Sequence, residues 1–299
     1  MSHMGAAPPL ASIGILSAAS YRYRRAAARE SWLTFDEVKR GKILTRFVIA
    51  VVSSADGNET TSDARSLDDD ASCDTVYLPT NGSLSRIISP LATTFAWLKY
   101  ATIHHIHRRS QFILKCDDDA YVFVPGLATH MRMMLKDVAR TVAPHESNTS
   151  AAKQSKTKFA HLEHLRLPLS SHIYFGRLYW TNYHPGAWLH VATGYAPDMA
   201  RKMSDHACAG LNCTGPFPFA TGSMQGLSIE LARALASSSA AAENVRRGVA
   251  SLASSKRKTP AFEDAWLGYA MVGLLPPDSS RRISVVGIDP LYSFGESAS

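Results

Sequence analysis

The 299-residue chain has no run of 18 consecutive apolar residues, so the sequence as given holds no candidate membrane-spanning helix. It has only four cysteines, too few for a disulfide-built scaffold of this length. Cys208 and Cys213 stand five apart in a loop-like stretch, where a local bridge is possible, while Cys73 and Cys116 look isolated. There is no internal repeat and no collagen-like glycine period. Charged residues make up just 19% of the chain against 45% hydrophobic, which excludes a disordered chain and suits a globular protein with a large core. The formal net charge is +7 with a pI near 9.3. Lys and Arg are nevertheless scattered rather than gathered into a stripe with interleaved aromatics, so no nucleic-acid partner is expected. The basic balance fits phosphorylated or anionic ligands equally well.

Four of the six asparagines lie in Asn-x-Ser/Thr sequons, at Asn58, Asn81, Asn148 and Asn212. The alternative is mere Ser/Thr richness, but the excess favours a secretory-pathway protein. The opening Met1-Ser2-His3-Met4 reads as a cloning remnant, so any N-terminal anchor is expected to precede this sequence. Residues 1–10 are taken as remnant and linker, and 11–299 as one domain.

The first half alternates. Ser12–Ala18 has strand length, Arg22–Phe35 is rich in helix formers, and Arg46–Val52 is the continuous β-branched run of a buried parallel strand. Cys73–Leu78 is a third strand candidate. Ser85–His105 reads as a helix with Pro90 in its first turns, and Gln111–Cys116 as a fourth strand. This predicts an α/β fold, a Rossmann-like nucleotide-binding sheet. The second half is less regular, with a polar Glu146–Thr157 loop, an aromatic-dense 172–195 stretch and an Ala/Ser-rich Ala236–Lys258 segment.

Two aspartate triplets differ in their surroundings. Asp68-Asp69-Asp70 sits in a polar stretch and reads as a solvated turn. Asp117-Asp118-Asp119 lies between Phe112–Cys116 and Ala120–Val124, two apolar runs. Three carboxylates there are expensive to bury unpaired, and a divalent cation at a strand's carboxyl end resolves the cost. Hard oxygen ligands suit Mg²⁺ or Mn²⁺, which would in turn hold a diphosphate. The alternative is a strand end open to water.

Residues 112–124 resemble the metal-binding segment of the β-1,3-glycosyltransferases of family 31, which include galactosyl- and N-acetylglucosaminyltransferases and the Fringe enzymes. Three more blocks resemble the family in the same order: Arg25-Ala26-Ala27-Ala28-Arg29-Glu30-Ser31-Trp32, the Phe217–Ser228 segment, and Phe262-Glu263-Asp264-Ala265-Trp266-Leu267-Gly268. The resemblance implies a GT-A-type fold with a mixed central sheet, its 11–125 half binding the nucleotide sugar and its 126–299 half the acceptor. It implies an inverting, metal-dependent transferase that moves galactose from UDP-galactose onto a glycan in β-1,3 linkage. Mn²⁺ or Mg²⁺ would be the cofactor, and the Golgi lumen, through a type II anchor, the location. Two departures stand out. The family's glycine run is here Gly222-Ser223-Met224-Gln225, and no histidine follows His206 to complete a metal site, a position left to water, phosphate or another carboxylate such as Asp289.

On this reading Asp117 and Asp119 hold the metal, and Arg25, Arg29 and Asp118 bind the donor. Asp264 is the catalytic base, and Phe217, Phe219, Glu263 and Trp266 contact the acceptor. Plainer readings stay open beside these: a basic helix face for Arg25 and Arg29, a helix N-terminus for Glu263-Asp264, and core packing for the aromatics. Ser255-Lys256-Arg257-Lys258 is either a surface loop or a steering element for an anionic, phosphorylated acceptor. A non-catalytic carbohydrate-binding protein on the same fold and a metal-dependent phosphohydrolase are the competing functions.

Overall fold

The computed structural model describes residues 7–52, 73–80, 89–104, 106–142, 171–184, 187–192, 214–253, 263–273, 283–288 and 293–294. The Asp68–Asp70 triplet, the sequons, the 146–157 loop, the Cys208–Cys213 pair, the 255–258 loop and Asp289 lie outside these residues.

Four parallel strands form one half of the sheet: β1 (Ala11–Ser17), β2 (Ile43–Val52), β3 (Thr75–Thr80) and β4 (Phe112–Asp117), with β1 between β2 and β4. All four were expected from their apolar runs, with boundaries shifted by one to three residues. The helix expected over Arg22–Phe35 is shorter. Helix α1 (Arg22–Glu30) ends because Ser31, at φ −109° and ψ −104°, leaves helical space. Trp32 then drops into the core at 1% exposure, and the short α2 (Asp36–Lys39) follows. Helix α3 (Ser89–Ile103) takes Pro90 as its second residue, where a missing N–H costs nothing.

The described residues of the second half form regular elements. A two-residue strand β5 (Tyr121–Val122) and helix α4 (Val124–Val142) follow the aspartates. Then come β6 (His172–His184), β7 (Ala187–Ala192), β8 (Thr214–Ser228), α5 (Ile229–Ser237), α6 (Ser239–Ala253), α7 (Glu263–Gly273), β9 (Ile283–Gly287) and β10 (Ser293–Phe294). The main sheet runs β3-β2-β1-β4-β8-β6-β7, with β9 on β6. Strand β8, built from the Phe217–Ser228 block, is antiparallel to both β4 and β6, so the sheet is mixed and continues across residue 125.

Side-chain alternation along the strands divides the interior in two. Phe112, Leu114 and Cys116 pack with Ile13, Ile15, Phe47, Trp32 and the α4 residues Leu127 and Met131. Ile113 and Leu227 face the other way, into Trp97, Leu98, Leu235, Val245 and Trp266 from α3, α5, α6 and α7. Two close approaches set this second layer. The Trp97 ring lies where a Cβ on Gly14 would be, and its indole N–H reaches the Leu114 carbonyl at 2.9 Å. Gly268 lets α7 lie directly on the Pro218 carbonyl and Phe219. Among the described residues no helix is long and apolar enough to cross a membrane.

Candidate active site

Strand order reverses between β1 and β4. The connection from β1 to β2 carries α1 on one face, and that from β3 to β4 carries α3 on the other. A crevice opens at the carboxyl ends of strands flanking such a switch. Here it is a cleft of about 330 Å³ lined by Leu16, Ser17, Ala18, Tyr21 and Arg24 from the β1 side, by Pro90 and Thr93 from α3, and by Asp117, Asp118 and Asp119. The volume is at the small end of ligand-binding sites.

The three aspartates have three different surroundings. Asp117 ends β4, two residues beyond Lys115 and therefore on the same face, and Lys115 Nζ meets its Oδ1 at 2.9 Å. Asp118 is buried. Its Oδ2 accepts from Ser17 Oγ at 2.6 Å and its Oδ1 from Arg24 Nη1 at 2.9 Å. Burial pushes its carboxyl above the ordinary value, against the pull of Ser17 and Arg24. Asp119 is the exposed one, its side chain 59% accessible, with Arg24 Nη1 3.2 Å from Oδ2.

The arginine that faces the cleft is Arg24. Its guanidinium holds Asp118 and Asp119, stacks over Tyr21 at 4.4 Å, and is held charged chiefly by its hydrogen bond to Asp118. Sequence spacing had singled out Arg25 and Arg29 for the donor. Arg25 is fully buried, giving hydrogen bonds to Ser17 Oγ at 3.1 Å and to the Ala18 and Ala19 carbonyls at 2.6 and 3.1 Å. It shapes the turn that carries Ser17. Arg29 forms a two-pronged pair with Asp74 at 2.9 and 3.0 Å and lies over Phe47, away from the triplet. The four-residue spacing puts both on one helix face, and that face meets the β1–α1 turn and β3.

Asp264 sits in the first turn of α7. Its Oδ1 receives Lys115 Nζ at 3.3 Å and a short hydrogen bond from Gln225 Nε2. One buried ammonium group thus separates the first aspartate of the triplet from Asp264. The expected acceptor aromatics are placed differently. Phe217, Phe219 and Trp266 are 1%, 4% and 0% exposed. Trp266 packs edge-on to Phe95 and gives its N–H to Asn244 Oδ1 at 3.1 Å. These rings are core and present no face to a sugar, as α7 has to lie flat on β8. Glu263 opens α7, and its side chain is outside the described residues.

Ser17, Arg24, Lys115 and Gln225 escaped the sequence reading. Lys115 carried a usable signal: a lysine inside an otherwise apolar buried strand must find a carboxylate. Arg24, Ser17 and Gln225 carried none, because their partners come from distant segments.

The residues present fit a hard divalent cation in donor chemistry. Asp117 and Asp119 offer carboxylate oxygens at the cleft, while both Asp118 oxygens are engaged. Among the described residues no group of three or more His, Cys, Asp or Glu side chains is placed to hold a metal. Two carboxylates suffice for an ion of the Mg²⁺ type, which keeps its waters and takes its remaining ligands from substrate phosphates.

An acid-lined crevice at the switch point of a mixed sheet, with helices on both faces, defines a nucleotide-binding α/β domain of GT-A type. The sequence profile described as Galactosyltransferase matches residues 23–247, more than half of the chain. The chain belongs to this galactosyltransferase family, as its motifs led one to expect. It is similar to a hydroxyproline O-galactosyltransferase of Arabidopsis thaliana, 31% identical over 121 residues. The matched stretch is 40% of this chain and 16% of that protein.

Proposed function

We propose that the protein is an inverting UDP-galactose-dependent transferase that forms a β-1,3 bond to a glycan hydroxyl. One observation carries the reading. Buried Lys115 joins Asp117, at the acid-lined cleft, to Asp264 at the start of α7, so a donor site and a candidate base share one charged centre. A lysine this buried is costly without partners, and here both partners are carboxylates to which the reading gives a role in transfer.

In this mechanism Asp119 and Asp117 would hold Mn²⁺ or Mg²⁺, a cation that when bound would supply charge neutralisation for the leaving diphosphate. Arg24 contributes a second positive charge on the same side. Arg25 holds Ser17, and Ser17 holds Asp118, which in turn anchors Arg24. Asp264 takes the proton from the acceptor hydroxyl as its oxygen bonds to the anomeric carbon and the bond to UDP breaks, a contribution of about 10²–10⁴-fold. The 11–125 half supplies the donor site and the 126–299 half the base. An anionic or phosphorylated acceptor would suit the basic Ser255-Lys256-Arg257-Lys258 sequence, whose plainer reading is a solvated surface segment. Four sequons support passage through the secretory pathway, with residence in the Golgi lumen by a type II anchor outside the described residues.

The test is release of UDP from UDP-galactose with and without Mn²⁺, across neutral and phosphorylated glycan acceptors, with the product's linkage and anomeric configuration read by NMR. Mn²⁺-dependent, acceptor-dependent release with a β-1,3 product is expected. Phosphate release without sugar transfer identifies a phosphohydrolase instead, and UDP binding without turnover a binding protein.

A further inference from the structure

The residue that replaces part of the family's glycine-rich stretch has a use in this fold. In the antiparallel register of β4 and β8, Lys115 lies directly opposite Gln225. Directly opposed side chains share a face. Both are buried, at 2% and 1% exposure, and both send their terminal nitrogen to the same atom, Asp264 Oδ1. Gln225 is itself pinned, since Nε2 also donates to the Ala220 carbonyl at 2.8 Å. Ala220 is held in turn, its N–H donating to the Tyr174 hydroxyl oxygen at 2.7 Å. The chain of contacts runs from the β6–β8 ladder through Gln225 to a carboxylate on a different element.

We propose that Gln225, with Lys115, is a positioning residue for Asp264. The pair fixes the plane of that carboxylate against the sheet, so its position does not depend on the first turn of α7 alone. The proposal rests on the reading of Asp264 as the base. A carboxylate that must meet an acceptor hydroxyl at a set angle gains from such a hold, and small displacements of a reacting group cost up to about a hundredfold. Lys115 adds a second consequence. It also touches Asp117, so the ammonium group that steadies Asp264 lies at the edge of the donor cleft.

The experiment compares wild type with Gln225→Leu, Asp264→Asn and the double variant, measuring transfer kcat, acceptor KM, UDP affinity by calorimetry and thermal stability. Gln225→Leu keeps volume and strand character while removing the donor. Its kcat should fall about tenfold to a hundredfold, with UDP affinity unchanged. In the Asp264→Asn background the same substitution should change kcat by less than about threefold, because a positioning residue has nothing left to position. Lys115→Arg, which keeps the charge, should retain more activity than Lys115→Met and bind UDP more tightly than it.

Three results would overturn the proposal. Wild-type kcat in Gln225→Leu, with Asp264→Asn inactive, removes Gln225 from the site while leaving the base in place. Equal losses from Gln225→Leu in both backgrounds make its role merely structural. Full activity in Asp264→Asn defeats the base reading itself, and the positioning role with it. If Gln225→Leu does not fold, Gln225→Asn is used instead, its amide too short to reach Oδ1, with the same outcomes.

Discussion

The two ends of the central sheet are built on different rules. From β3 to β4 the strands are parallel apolar runs, with α1 between β1 and β2 and α3 between β3 and β4. From β8 to β7 they are antiparallel, and β8 reaches β4 across more than a hundred intervening residues. The parallel half forms the cleft, where Ser17 and Arg24 of the β1–α1 unit meet Asp118 on the aspartate turn that ends β4, about a hundred residues further along the chain. The antiparallel half delivers one carboxylate, Asp264, and the glutamine that steadies it. The strands that frame the cleft therefore follow from short-range pattern, whereas the charges that line it and the second reactive group both need long-range assembly.

The largest effect that tests this division is Asp264→Asn. Transfer should fall by about two orders of magnitude or more while UDP still binds, because Lys115 keeps Asp117 as its partner and Ser17 and Arg24 keep theirs. Equal loss of UDP affinity would show that the two halves do not separate as described. Asp119→Asn is the complementary case. It should abolish the Mn²⁺-dependent part of thermal stabilisation by UDP, worth about 2.7 kcal/mol when ligand stands at a hundred times its Kd. Because Asp119 is exposed, the ligand-free Tm should stay within a degree or two of wild type.

Packing supplies a third comparison, now of stability alone. Gly14→Ala places a methyl in the Trp97 ring, and Gly268→Ala places one against the Pro218 carbonyl and Phe219. Each should cost about 1–3 kcal/mol in urea denaturation. Gly268→Ala should in addition lower transfer, as it lifts α7 and Asp264 from β8, while Gly14→Ala should lower it less. Equal losses of transfer at equal stability would break the assignment of Asp264 to the antiparallel half.

The smallest effect is expected at a site belonging to neither half's chemistry. Partly exposed Glu243 on α6 is paired with Arg246 and Arg247, whose hydrogen bonds bring its carboxyl down to about 2. A depressed carboxylate adds stability that is present above its ordinary range near 4.5 and is lost as pH falls toward 2. Any Tm advantage of wild type over Glu243→Gln should thus be visible at pH 6, shrink through that window, and weaken in 1 M salt. A Tm difference that grows toward pH 2 would reverse the sign argued here.

Residues 12–18, 46–52, 73–78 and 111–116 were legible as strands because a strand buried on both faces needs a continuous apolar run, and that run is local. The aspartate triplet was legible because carboxylates between two such runs require an explanation in charge. Membership of the family followed from motif blocks that survive divergence. By contrast, Arg25, Arg29 and Arg24 are equally basic on paper, and only the angle at which α1 meets β1 and β3 sends the first two to backbone carbonyls and Asp74 and the third to the cleft. Phe217, Phe219 and Trp266 are as aromatic in a sugar site as in a core, and the flat contact of α7 on β8 makes them core. Gln225 looked like a defect in a glycine run until β8 settled against β4. Hydrophobic period and charge are properties of a short window and were there to be read. Which side chains share a face or meet a distant carboxylate depends on strand order and helix docking, and these are decided by packing the whole chain at once.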